Sequence, residues 1–200
     1  MKPKVKIDDI VNKEHPLDKN YVPKNLVKDN IIQTPNLDDR YLTYLDKEAY
    51  ESFLEFREYG LYNGVNIIID SGYRPYKYQQ KILLYNLIKH GDEAYKTVAI
   101  PGTSEHQTGL ALDFALIINN FYVEVLNDFI EEVKWVHENA YKFGFILRYP
   151  KGKEEITGFN YECWHLRYVG KDVSQIMHDE NIETLEEYHI LKRTYGKKYL

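Results

Sequence analysis

A chain of 200 residues with 44% hydrophobic and 28% charged side chains is long enough to bury one core without covalent staples. Its net charge of −5 and the lack of a concentrated basic arm argue against a nucleic-acid binder, and a single cysteine, Cys163, excludes an internal disulfide framework. The polar opening MKPKVKIDDIVNKEHP reads as neither signal peptide nor membrane span, so the chain as written is expected in the cytoplasm, or facing the cell envelope if an upstream signal or anchor has been removed.

Residues 1–37, with Pro3, Pro16, Pro23 and Pro35, read as an extended arm packed on a single domain, 38–200. From Asp38 a helix is expected, because Leu42, Leu45, Ala49, Phe53 and Phe56 recur at helical spacing up to Gly60. VNIIID (65–70) reads as a short buried strand. SGYRP then turns the chain, and Pro75 suits the start of a helix to about His90, with Tyr78, Ile82, Tyr85 and Ile88 as its apolar face. Residues 110–118 read as a strand that Asn119-Asn120 turns into FYVEV as a hairpin. An amphipathic helix is expected over 127–143, through Phe129, Ile130, Val133, Val136, Ala140 and Phe143, stopped by Gly144. FILRY and WHLRYVG read as two more strands. Thr184 and Glu187 form a capping-box pattern that opens a helix in the tail TLEEYHILKR. Helices beside a small antiparallel sheet make the fold class α+β.

One carboxylate is out of place. Asp113 interrupts the apolar run LALDFALI, and a lone buried carboxylate is costly without a cation or a metal beside it. On a strand it shares a face with the small Ala111 and Ala115, which leaves room around it. His106 lies seven residues upstream across Gly109, and YECWHLRY supplies Glu162 and His165. Two imidazoles and one carboxylate, His106, His165 and Asp113, form a three-ligand set used by catalytic zinc, with Glu162 as a base for water. Glu162 and His165 would point to opposite faces of a flat strand, so Glu162 is expected on the loop that enters it. Taken singly, each residue has an ordinary structural role, and from the residues alone the two readings stand level. His15, His90, His137, His178 and His189 read as surface residues, and Cys163 as structural.

These segments together resemble the zinc D,D-carboxypeptidases of the VanY type and their bifunctional VanXY relatives. The family pattern S-x-H-x-x-G-x-A-x-D is present as Ser104, His106, Gly109, Ala111 and Asp113, and E-x-W-H as Glu162, Trp164 and His165. SGYR followed by a glutamine is present as Ser71 to Arg74 with Gln79. The resemblance covers roughly residues 10–190, with the motifs in family order. It implies the D,D-peptidase/hedgehog-like zinc peptidase fold, one zinc ion held by His106, Asp113 and His165, Glu162 as base, and Arg74 stabilising the oxyanion. Ser104 and Gln79 become substrate-positioning donors. Trp164 either walls the pocket or packs into the core. The implied partner is a peptidoglycan stem peptide or precursor ending in D-Ala.

Three substrate preferences fit these motifs: the terminal D-Ala of a pentapeptide, free D-Ala-D-Ala in addition, or an L,D-carboxypeptidase action on tetrapeptide stems. The missing signal peptide and the LEEYH helix favour the VanXY branch. A non-catalytic peptidoglycan-binding module on the same fold would be expected to lose its base, and Glu162 is present.

Overall fold

The computed structural model describes residues 5–30 and 43–196. Strand β1 (Leu26–Lys28) pairs antiparallel with β2 (Tyr44–Asp46). Helix α1 (Lys47–Tyr62) follows directly. The expected start of this helix at Asp38, and Leu42 with it, lies outside the described residues, and Leu45 belongs to β2. The reason is local: the Asp46 carboxylate accepts from the Glu48 backbone N–H at 3.1 Å, an N-cap that sets the first helical residue at Lys47.

Strand β3 (Ile67–Ser71) leads through Arg74 into α2 (Tyr76–His90), then the short α3 (Ala94–Thr97). The apolar face expected for α2 is wrong by about one residue. Tyr85 and Ile88 are 63% and 79% exposed, whereas Gln79 and Leu83 are buried. The helix turns this row inward because Gln79 must reach the Ala99 carbonyl, to which its Nε2 donates at 2.9 Å.

Strand β4 (Ala111–Ile118) organises the five-stranded sheet. One edge pairs with β3; the other pairs with β5 (Phe121–Glu124) along its second half and with β7 (His165–Tyr168) along its first. The β4–β5 turn places Asn119 and Asn120 at φ 53° and 66°, the left-handed pair that a two-residue hairpin needs. Between this hairpin and β7 come α4 (Glu131–Asn139), a 3₁₀ turn over Ala140–Phe143, β6 (Phe145–Leu147) on the far edge of β7, and α5 (Glu154–Thr157). The helix expected from 127 begins four residues later. The Asn127 side chain accepts from Phe129 N at 3.1 Å, a turn that leaves Phe129 84% exposed.

Two helices close the chain. No element was expected over α6 (Lys171–Asp179); α7 (Leu185–Tyr195) carries the anticipated capping box, with Thr184 Oγ1 accepting from Glu187 N and Thr184 N donating to Glu187. Leu112, Phe114 and Leu116 of β4 pack with Ile67, Ile69, Phe53, Phe56, Val133 and Val136 between the sheet and helices α1 and α4. Each fully buried Phe or Leu here contributes roughly 1.5–3 kcal/mol. Asp113, alternating with these residues, therefore faces away from the core.

The N-terminal arm is not wholly irregular, since β1 pairs with β2, and ahead of β1 it is held by buried Val11 and by polar contacts. Gln107 Nε2 donates to the carbonyls of Asp18 and Tyr21, Arg167 Nη2 to those of Ile7 and Asp9, and Lys192 pairs with Asp8 at 2.8 Å. Two histidines expected at the surface are partly buried instead. His137 Nε2 lies 2.7 Å from the Cys163 carbonyl, and burial lowers its pKa; His189 Nε2 meets the Asp8 carbonyl. Cys163 is buried in the core, as a structural thiol should be.

Candidate metal centre

The site forms where strand register and one tight turn bring three side chains to a point. Asp113 of β4 and His165 of β7 are cross-strand partners. His106 sits in a 3₁₀ turn, Glu105–Thr108, that ends at Gly109 with φ +72° and returns the chain to β4. Asp113 Oδ1 lies 2.9 Å from His165 Nδ1 and 3.3 Å from His106 Nε2. One ligand atom from each residue falls within 4.8 Å of the others. Ligands on a tetrahedral zinc at 2.0–2.1 Å stand about 3.3 Å apart, so the set fits such an ion with small adjustment.

Hydrogen bonding prepares the ligand atoms. His106 Nδ1 donates to the Gly72 carbonyl at 2.7 Å, which puts the ring hydrogen there and leaves the buried Nε2 as a lone pair with no hydrogen-bond partner. Burial lowers the His106 pKa to about 4, and Arg74 adds to the effect, so the ring is neutral. His165 differs. Burial opposes its charge, but the hydrogen bond to Asp113 and the nearby Glu105 carboxylate outweigh it and raise its pKa to about 9. Asp113 is held well below the usual carboxylate range, its burial outweighed by both histidines.

Glu162 lies on the loop that enters β7, as its opposite-face geometry required, with Oε2 3.8 Å from His165 Nδ1. Burial pushes its carboxyl up to about 7, close to the value that suits proton transfer in neutral water. Arg74 Nη2 lies 3.4 Å from Asp113 Oδ2, and its Nη1 donates to Gln79 Oε1 at 3.3 Å. Gln79 has one amide hydrogen on Ala99 and its oxygen on Arg74, so it is built into the wall as an orienting group. Arg74, Gln79, Ser104, His106, Glu162 and His165 line one cleft. Trp164 does not; it packs against the core. The aromatic wall is Tyr149, whose ring centroid is 4.9 Å from that of His165, with Phe159 beside it.

Sequence reasoning missed Glu105, Arg148 and Arg167. All three are at most 1% exposed. Arg148 Nε donates to Glu105 Oε1 at 2.8 Å, and Arg167 Nη1 lies 2.8 Å from the same oxygen. Arg148 also forms a two-pronged pair with Glu186 of α7 at 2.9 and 2.6 Å. Burial disfavours the Glu105 charge, but the two arginines overcome it and depress the carboxyl pKa strongly. An acidic residue between Ser104 and His106 was the one available signal.

The model for VanY, D-alanyl-D-alanine carboxypeptidase, matches residues 42–171. This chain belongs to that family. YodJ of Bacillus subtilis (strain 168) is 40% identical over 181 residues, which is 90% of this chain and 65% of YodJ. The chain therefore spans somewhat less than two thirds of that relative. VanXYC of Enterococcus gallinarum, a bifunctional D-Ala-D-Ala dipeptidase and carboxypeptidase, is 38% identical over 191 residues, covering 90% of this chain and 92% of the relative. Among solved structures, the LD-carboxypeptidase LdcB superposes with a TM-score of 0.80 at 40% identity, over 90% of this chain and 84% of LdcB. A VanY mutant in complex with Zn(II) superposes with a TM-score of 0.75 at 30% identity, over 92% of this chain and 98% of VanY. As a family member, the chain carries the α+β architecture of these peptidases.

Proposed function

We propose that this protein is a zinc-dependent carboxypeptidase that removes the terminal D-alanine from peptidoglycan precursor peptides ending in D-Ala-D-Ala. The observation that carries the reading is the convergence of His106, Asp113 and His165 within 4.8 Å, with the Glu162 carboxylate beside them in an open cleft. Zinc, when bound by these three residues, supplies Lewis acidity toward the scissile carbonyl and acidifies water. Glu162 takes the proton from the attacking water and delivers it to the leaving D-alanine amine. Arg74, aimed by Gln79, donates to the oxyanion that develops on the carbonyl. Tyr149 and Phe159 shield one side of the cleft from water, and Ser104 offers a hydroxyl to the bound peptide.

The similarity to LdcB supports a second reading, an L,D-carboxypeptidase acting on tetrapeptide stems. Amino-acid release by the zinc-loaded protein separates the two, with Glu162→Ala run in parallel. Release from a pentapeptide ending in D-Ala-D-Ala, lost in Glu162→Ala, is the expected result. Added cleavage of free D-Ala-D-Ala makes the enzyme bifunctional, and release from the tetrapeptide alone assigns it to the L,D class. No release from any of the three, with zinc bound, refutes the carboxypeptidase reading.

A further inference from the structure

The buried carboxylate behind the metal centre has one oxygen that the arginines do not use. Glu105 Oε1 faces Arg148 and Arg167, while Oε2 faces His165 Nε2 at 3.7 Å. Neither Oε2 nor His165 Nε2 has a hydrogen-bond partner within bonding distance, and both are buried, so each is the nearest complement to the other. A carboxylate at that position accepts and never donates. The geometry points to Glu105 as a positioning residue that keeps the His165 hydrogen on Nε2, so that Nδ1, the nitrogen facing Asp113 and Glu162, is the ligand atom. This assignment rests on the metal reading of the site.

The same geometry gives Glu105 its own support. Two arginines hold its position: Arg148 is tied through Glu186 to α7, and Arg167 through the Ile7 and Asp9 carbonyls to the N-terminal segment. His165 would therefore be oriented by a strut that reaches both ends of the described chain. His106 needs no such device, since the Gly72 carbonyl already fixes its hydrogen on Nδ1. The two histidines use opposite nitrogens toward Asp113, and each has an acceptor behind it suited to that choice.

Glu105→Gln tests the idea because arginines only donate. The glutamine carbonyl must turn to Arg148 and Arg167, which leaves its amide hydrogens facing His165 Nε2. That nitrogen must then accept, the ring hydrogen moves to Nδ1, and the ligand atom is lost. Chelator competition should show zinc binding weakened about 10–100-fold. Circular dichroism checks that the variant is folded. In the wild-type protein, nitrogen NMR of ¹⁵N-histidine should find His165 protonated at Nε2 when zinc is bound. An unchanged zinc affinity in folded Glu105→Gln, or a wild-type His165 protonated at Nδ1, overturns the assignment and leaves the carboxypeptidase reading standing. If Glu105→Gln does not fold, the wild-type tautomer decides alone. A wild-type protein that binds no zinc refutes the metal reading, and this one with it.

Discussion

Asp113 and His165 face each other across the β4–β7 ladder, with Asp113 Oδ1 2.9 Å from His165 Nδ1. The distance between these two ligand residues is therefore a property of strand register. A shift of one residue would turn one of them into the core, where Leu112, Phe114 and Leu166 now pack. The hydrophobic side of the sheet thus guards the geometry of its polar side.

Glu162→Gln keeps the side chain's shape and removes the proposed base. Turnover should fall by about 10²–10⁴, the usual contribution of a positioned proton acceptor. Zinc affinity should change little, because Glu162 is not one of the three converging ligands. Steady-state kinetics and chelator competition on the same preparation measure both.

Arg74→Ala removes the donor at the mouth of the cleft. A loss of about 10²–10³ in kcat is expected, with a smaller change in KM, since the interaction grows as charge develops. Gln79→Leu should reproduce part of the defect, because the Gln79 amide oxygen accepts from Arg74 Nη1. Equal losses in kcat and in zinc affinity for Arg74→Ala would contradict the role.

Zinc affinity should rise about tenfold per pH unit between pH 7 and 9 and level off above that. In the metal-free protein His165 has a pKa of about 9, so binding must expel its proton throughout that interval. His106, near 4, has no proton to lose there. The sign reverses for folding of the metal-free chain. The His165 contribution to stability is complete below its unfolded pKa of about 6.5 and is lost as pH rises through about 9. Calorimetry in buffers of different ionisation enthalpy counts the protons released.

Gly109→Ala should destabilise the fold by roughly 2 kcal/mol and weaken metal binding as well. Gly109 has φ +72°, and an added Cβ would lie 2.9 Å from Leu26 Cδ2 and 3.0 Å from Asp46 N. Gly158→Ala is the control. Its φ is similar at +76°, nothing stands within 4 Å of its Cβ position, and it should cost less. Urea unfolding of the two variants separates crowding from backbone strain.

Much of the centre was legible in the sequence. A charged residue inside an apolar run, a histidine across a glycine from it, and a Glu-x-x-His pair are local patterns, and local patterns report which face of a strand or turn a side chain occupies. The Asn119-Asn120 hairpin and the Thr184–Glu187 capping box were readable for the same reason, since their chemistry closes within four residues. The inward row of α2 and the presence of α6 were not readable. Each depends on what the helix meets: Gln79 turns inward to the Ala99 carbonyl, and α6 packs Val173, Ile176 and Met177 with the distant Leu185 and Tyr188.

The sequence by itself offered the candidate ligands His106, Asp113 and His165 and the candidate base Glu162, and their match to the family motifs, not their spacing, made them a set, since Asp113 and His165 stand 52 residues apart. Only the tertiary structure decided what stands behind them. Glu105 meets Arg148 across 43 residues, and Arg167 reaches it from β7, on contacts set by how β4, β6 and β7 align. No periodicity encodes such a meeting. Burying three charges requires that they find one another, and that pairing exists only once the sheet has closed.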